Sequence, residues 1–343
     1  MAPAESPDAS PRILLTGATG FLGRRLVAAL IASGVAPDRL RCLVRDRERA
    51  LAAGLPAASL CFGDLGDPAV ERTLVAAAAG VDAVVHLAAE LKGWTSTAYA
   101  GVNVGGTERL LRAVAAAAPR AHFVLVSSLA AAGPSVDGTG SAAAPAAARP
   151  VSAYGESKRA AELCVVAAGL RWTIVRPPVV YGQGDGATRL LFRQALAPVA
   201  LVPRRPSPLS VIHVDDVARA LQLVLERRPV GAVLPLDGRE RTDTHAFVRA
   251  IAAACGRRAR LLPVPLALAG FGAWASDAWA ALRRSASYFS RDKVRELRAA
   301  GWVADPAAAQ AVLGFAAAVP LAQGLAEVAR AEGFARGVTS ATA

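Results

Sequence analysis

The chain is poor in lysine. Only Lys92, Lys158 and Lys293 stand among its 39 basic residues. Arginine serves wherever a bare positive charge suffices, so each remaining lysine is a candidate for chemistry that a guanidinium cannot perform. Cysteine is equally scarce. Cys42, Cys61, Cys164 and Cys255 lie far apart, which excludes a disulfide framework and fits reduced, buried residues. The four histidines, His86, His122, His213 and His245, form no ligand cluster, and no metal is expected. Aromatic residues make up 5% of a chain that is 54% hydrophobic, so its core is aliphatic and rich in alanine, with closely packed helices. No apolar run is long enough to cross a bilayer. The longest, Leu261 to Ala275, is broken by Pro263 and Pro265 and falls short of the ~20 residues required. The first ten residues lack the basic start and apolar centre of a secretion signal. They and residues 336–343 are expected to be disordered tails, and the cytoplasm is the expected location. The net charge of +12 suggests nucleic acid, but the arginines are spread along the chain rather than gathered in an arm, so no nucleic-acid partner is expected.

Short apolar runs alternate with amphipathic stretches: Ile13–Leu15, Leu40–Val44, Leu60–Phe62, Ala83–His86, Phe123–Ser127 and Thr173–Val175. That rhythm predicts βαβ units and an α/β, doubly wound parallel sheet of Rossmann type, with a site at the carboxyl ends of the strands. The first run enters Gly17-Ala-Thr19-Gly20-Phe21-Leu22-Gly23 and then a helix with Leu22, Leu26, Leu30 and Ile31 on one face. Strand, glycine turn, helix is the context that a dinucleotide pyrophosphate needs. The second strand ends at Arg45-Asp46. An arginine there suits the 2′-phosphate of NADP(H), while an acidic residue would grip the ribose of NAD(H); Arg45 favours NADP(H) and leaves NAD(H) possible. Further on, Tyr154-Gly-Glu-Ser-Lys158 places the second lysine one helical turn after a tyrosine. An ammonium beside a phenol favours the phenolate, lowering a pKa that starts near ~10 and making the tyrosine a usable general acid or base.

With these residues in hand the chain resembles the extended short-chain dehydrogenase/reductase (NAD-dependent epimerase/dehydratase) family. The likeness runs through Thr16 to Gly23, Gly63-Asp64-Leu65, His86-Leu87-Ala88-Ala89, Asn103 to Thr107, Val126-Ser127-Ser128, Tyr154 to Lys158, Arg176-Pro177 to Gly182, and His213 to Asp216. The resemblance implies Tyr154, Lys158, Ser128 and Asn103 as catalytic residues, with Ser128 rather than Ser127 meeting the substrate oxygen. It implies cofactor contacts from Gly17, Thr19, Gly20, Phe21, Leu22, Gly23, Arg45, Asp64, Leu65, Leu87, Ala88, Ala89 and Pro177, as well as from Tyr154 and Lys158. His86 and His213 are expected to be structural.

The implied activity is hydride transfer between a nicotinamide and the carbonyl or alcohol of a small-molecule substrate. Members acting on nucleotide sugars usually carry Asn where this chain has Val179, and Arg where it has Leu209. With the apolar stretch Leu262–Trp279 and Trp94, those departures favour a fairly apolar substrate, as in relatives that resemble dihydroflavonol reductases and 3β-hydroxysteroid dehydrogenases. Arg204 or Arg205 could replace the missing arginine, so a nucleotide-sugar epimerase or dehydratase stays as an alternative, as does a non-catalytic cofactor-binding scaffold. The nucleotide domain is expected over 11–182 and 206–236, and the substrate lobe over 183–205 and 237–335. Residues 133–150 are expected as a loop over the site. Leu163 and Val166, on the helix that carries Tyr154, would permit a homodimer.

Overall fold

The structure is a computed structural model that describes residues 11–90, 99–135, 138–265, 291–299 and 301–335. The two expected tails, Lys92, Trp94 and most of the apolar stretch lie outside the described residues.

Six strands and six helices build the first half. β1 (Ile13–Thr16), β2 (Leu40–Val44), β3 (Leu60–Phe62), β4 (Ala83–His86), β5 (His122–Val126) and β6 (Arg171–Arg176) alternate with α1 (Phe21–Ala32), α2 (Arg47–Ala52), α3 (Glu71–Ala78), α4 (Thr107–Ala117), the short α5 (Leu129–Ala132) and α6 (Ala153–Ala167). A π-helix, Ala100–Gly106, leads directly into α4. Then come β7 (Val179–Tyr181), α7 (Gly186–Ala195), β8 (Ala200–Pro203), β9 (Pro208–Leu209), β10 (Val211–His213), α8 (Val214–Arg227) and β11 (Ala232–Pro235). The chain continues through β12 (Thr242–Asp243), α9 (Thr244–Ala254), β13 (Leu261–Val264), α10 (Arg291–Arg298), α11 (Ala307–Leu313) and α12 (Leu321–Ala331).

Seven strands form one parallel sheet in the order β11-β6-β5-β4-β1-β2-β3. This is the Rossmann order expected from the alternating pattern, extended by β11. Its central strands are apolar on both faces because helices cover both. Leu15, Val85 and Val124 pack with Leu26, Leu30, Val217 and Leu221 on one side. Leu14, Val84 and Phe123 pack with Leu74, Leu110, Val114 and Val165 on the other. The strand order reverses between β1 and β4, which opens the crevice where ligands bind in such sheets.

A separate apolar cluster, with Phe192, Val202, Phe247, Ile251 and Leu325, holds the smaller lobe together. Ala309, Leu313 and Phe315 lie between parts of that lobe in sequence but pack into the core of the sheet instead. The described residues of the expected loop over 133–150 are tied to their surroundings. Ser135 N–H donates to Gly301 O, Ser141 N–H donates to Val303 O, and Arg149 N–H returns to Ala132 O at the base of the loop.

Candidate active site

The turn after β1 is shaped by contact with the end of β4. Gly17 has φ +71°, and a Cβ there would lie 2.6 Å from Ala88 N, so only glycine fits. A Cβ on Gly23 would likewise run into the Gly17 carbonyl. α1 then begins at Gly20 with no side-chain cap and no acidic residue in its first turn. Its first N–H groups keep their hydrogen-bonding capacity and the positive end of the helix dipole, which suits a pyrophosphate. Phe21 lies against Gly182, and Arg24 donates to Gly184 O (3.2 Å), tying this helix to the loop after β7. Thr19 and Leu22 sit in the same turn and are half-buried. These residues fit a dinucleotide.

At the end of β2 the Arg45 guanidinium is exposed and lies 3.8 Å from Asp64. The Asp46 carboxylate is occupied locally: it caps α2 by accepting from Arg49 N–H (3.0 Å). Leu65 is buried, and its carbonyl accepts from Arg109 Nε (3.0 Å). Pro177, at the end of β6, accepts from Leu129 N–H (2.8 Å).

The four expected catalytic residues converge at the carboxyl ends of β4 and β5. Ser128 ends β5 and caps α5 by accepting from Ala130 N–H (3.1 Å). It also hydrogen-bonds the Tyr154 phenol. Gly155 makes that meeting possible. A Cβ at 155 would collide with Ala130 O, so α6 can approach α5 only through this glycine, which the sequence reading left without a role. Lys158, 3% exposed, donates from Nζ to Val126 O (2.8 Å). Asn103 is on the π-helix, where an extra backbone residue per turn re-aims side chains. Its Oδ1 accepts from Glu90 N–H (2.7 Å), and its Nδ2 donates to Ser157 Oγ (2.9 Å). Ser157 Oγ in turn donates to Tyr154 O (2.7 Å), so Asn103 grips the helix that carries the tyrosine. Ser127 Oγ is buried with no hydrogen-bond partner among the described residues.

The pKa pattern corrects the expected Tyr–Lys relation. Burial raises the Tyr154 pKa above its ordinary value, the Ser128 hydrogen bond opposes that, and Glu296 adds to it. Burial also lowers Lys158 to about 8, against the pull of Glu162 one turn further along α6. The ammonium donates to Val126 O, and desolvation is the largest influence on the tyrosine. At neutral pH the phenol therefore holds its proton, the state a proton donor needs.

His86 is structural and links three elements. Thr107 Oγ1 donates to Asn103 O (2.6 Å), so it must accept from His86 Nε2–H (2.9 Å). His86 Nδ1 then accepts from Thr16 Oγ1–H (2.6 Å), and Thr16 Oγ1 accepts from Ala88 N–H (3.2 Å). Every member is satisfied only if the imidazole is neutral. Burial, with the Lys158 charge next, lowers its pKa to about 3. The folded state thus binds fewer protons than the unfolded chain below the ordinary histidine pKa. The stabilisation is complete above about 6.5 and is lost as pH falls toward about 3. Urea midpoints measured against pH should fall over this window in the native chain and fall less steeply in His86→Gln. Parallel curves would refute the assignment.

The smaller lobe reaches the catalytic helix directly. Asp292 accepts from the N–H groups of Ala153 (2.8 Å) and Tyr154 (3.2 Å), and Glu296 accepts from Ser152 Oγ (2.8 Å). Two carboxylates from α10 therefore sit at the positive end of α6, where negative charge is favourable. They are about 140 residues away in sequence, and no local pattern marks them. Glu162 was also missed. It pairs bidentately with Arg176 Nε (2.8 Å) and Nη2 (2.6 Å), both side chains fully buried.

Among known proteins, the model of the NAD dependent epimerase/dehydratase family matches residues 13–234. The chain is 36% identical over 306 residues to the ceramide reductase of Caulobacter vibrioides, covering 86% of each. It is 30% identical over 271 residues to the 3 beta-hydroxysteroid dehydrogenase/Delta 5→4-isomerase of Mycobacterium tuberculosis, covering 72% of this chain and 70% of that one. Among solved structures, gox2253 superposes with TM-score 0.75 at 25% identity, covering 95% of this chain and all of that one. MoeE5 in complex with UDP-glucose and NAD superposes with TM-score 0.70 at 27% identity, covering 93% and 98%.

Proposed function

This chain belongs to the NAD dependent epimerase/dehydratase family, and from that premise we propose that it is an NADP(H)-preferring reductase for a ketone on an apolar, lipid-like substrate. It is an NAD(P)-dependent oxidoreductase like its reductase relatives. The nicotinamide supplies the hydride when bound. Tyr154 gives its proton to the developing alkoxide, Ser128 holds that oxygen, and Lys158 offers the cationic contact for the nicotinamide ribose. The residues of the glycine turn hold the pyrophosphate.

One observation carries the cofactor choice. Asp46, the acid that could grip a ribose, is spent as a helix cap, whereas the Arg45 guanidinium beside it is exposed. Titration of the purified chain should show tighter binding of NADPH than of NADH. Arg45→Ala should weaken NADPH about tenfold, the loss of one charge-assisted contact, and leave NADH unchanged. NAD⁺ that copurifies and resists removal would overturn this preference. It would favour a nucleotide-sugar epimerase or dehydratase, a reading supported by the 30% identity to the dTDP-glucose 4,6-dehydratase of Streptomyces griseus over 92% of both chains.

The apolar substrate class is supported by the ceramide reductase likeness and by Val179 and Leu209. Neither side chain offers a diphosphate a partner, and an unpaired buried phosphate is costly. A cytoplasmic setting suits the four free cysteines. A homodimer through α6 suits Leu163 and Val166, which are three residues apart and both exposed. Light scattering should then show a dimer that Leu163→Arg converts to monomer, and a monomeric native chain would exclude that contact.

A further inference from the structure

The arginines that look dispersed in sequence are gathered by the fold. No aspartate or glutamate occurs from Gly186 to Val214 or from Thr244 to Pro265. Those two segments meet where β8 pairs in parallel with β13, placing Leu201 beside Leu262. One face of this two-stranded ribbon is core, since Ala200 and Val202 are buried. The alternation then turns Val199, Leu201 and Leu262 outward, and they are 43%, 54% and 50% exposed.

Exposed arginines stand at both ends of the ribbon. Arg257, Arg258 and Arg260 precede β13, and Arg204 and Arg205 follow β8. None of the five makes an ion pair among the described residues. The acids that adjoin these two segments in sequence are engaged elsewhere: Asp185 and Asp243 cap helices, and Asp215 pairs with Arg25.

We propose that this ribbon is a docking surface for an anionic lipid bilayer, with Leu201 and Leu262 entering the interface and the flanking arginines meeting lipid headgroups. An apolar centre with a cationic rim is the pattern of peripheral membrane binding. A nucleic acid would answer the charge and leave the outward leucines without purpose. The described part of the ribbon carries no aromatic side chain on which bases could stack. The ribbon packs on the apolar cluster of the smaller lobe, and the partners of Tyr154 and Ser128 come from other elements, so docking and turnover can be measured separately.

The test is cosedimentation of the full chain with vesicles of pure phosphatidylcholine and with vesicles containing about 30% phosphatidylglycerol, a fraction that gives a strongly negative surface. Binding is expected to the anionic vesicles only and should fall with added salt. Arg257→Gln with Arg260→Gln should weaken it about tenfold or more, as loss of two near-surface charges implies. Val199→Gln with Leu201→Gln, both outward and exposed, should weaken it comparably at equal charge. Both double variants should reduce a water-soluble ketone at the native rate, which shows that they fold. Native chain left in the supernatant with anionic vesicles at low salt would overturn the proposal, as would variants that sediment like the native chain. A Val199 and Leu201 variant that instead dissolves a native dimer would assign the face to a second copy of this chain. A short DNA duplex that displaces the protein from vesicles, and whose binding ignores the Val199 and Leu201 changes, would assign it to nucleic acid. Absence of ketone reduction by the native chain would count against the reductase reading and leave the sedimentation result standing.

Discussion

Replacing Tyr154 with phenylalanine lowers kcat about a thousandfold and leaves NADPH affinity within a factor of about two, the expected loss for removal of a positioned general acid. The phenyl ring keeps its packing against Tyr99, whose centroid lies 6.0 Å away, and the helix keeps Asp292 at its N-terminus. Only the hydroxyl and its bond to Ser128 are removed. Steady-state kinetics with NADPH and a ketone, together with a fluorescence titration of the cofactor, check both halves of this expectation. Equal losses of turnover and binding would mean that the ring, not the proton, is needed. The native pH profile bears on the same residues. Lys158, at about 8, should lose its charge and its hold on the ribose above that pH, so kcat/KM should decline through an alkaline limb near there. The raised phenol should not titrate in that range. A limb that survives in Tyr154→Phe belongs to Lys158.

The second large effect is on stability. Arg176→Met removes one half of a fully buried, bidentate ion pair and should cost about 3–5 kcal/mol, because Glu162 is left as an uncompensated charge in the core. Glu162→Gln alone strands the guanidinium, which keeps its bond to the Ala143 carbonyl, so a smaller loss of about 2–3 kcal/mol is expected. The double variant Glu162→Gln/Arg176→Met should be less damaged than the sum of the two singles, since no buried charge remains. Urea unfolding of all four chains closes this cycle, and additive losses would show that the pair does not interact. The double variant has a second reading. With Glu162 neutral, Lys158 loses the carboxylate that raises its pKa, so the alkaline limb should move to lower pH even where stability is restored.

Much of the site could be read along the chain because its parts are local. The glycine turn, Ser128, and the Tyr154–Lys158 pair are each defined by a few consecutive residues whose spacing is fixed by a turn or a helix. The alternation of Leu40–Val44 and its neighbours with amphipathic helices carried the sheet and its order for the same reason. Other parts could not be read this way. Asp292 and Glu296 cap the catalytic helix from another lobe, and no residue near them announces it. Gly155 was visible, yet its purpose, admitting Ala130 O, depends on how closely two helices pack. The expected effect of Lys158 on Tyr154 assumed that i, i+4 neighbours face each other in water. In the folded chain the ammonium is directed to Val126 O, and burial governs both groups.

By itself the sequence determined the doubly wound fold, the glycine turn and the placing of Tyr154 one helical turn before Lys158, because backbone geometry and short-range periodicity are properties of neighbouring residues. Only the tertiary structure decided the burial that shifts Tyr154, Lys158 and His86, the anchoring of α6 by Asp292 and Arg176, and the gathering of separated arginines around Leu201 and Leu262. Those depend on desolvation and on contacts between residues distant in the chain, and both arise only when the segments pack together.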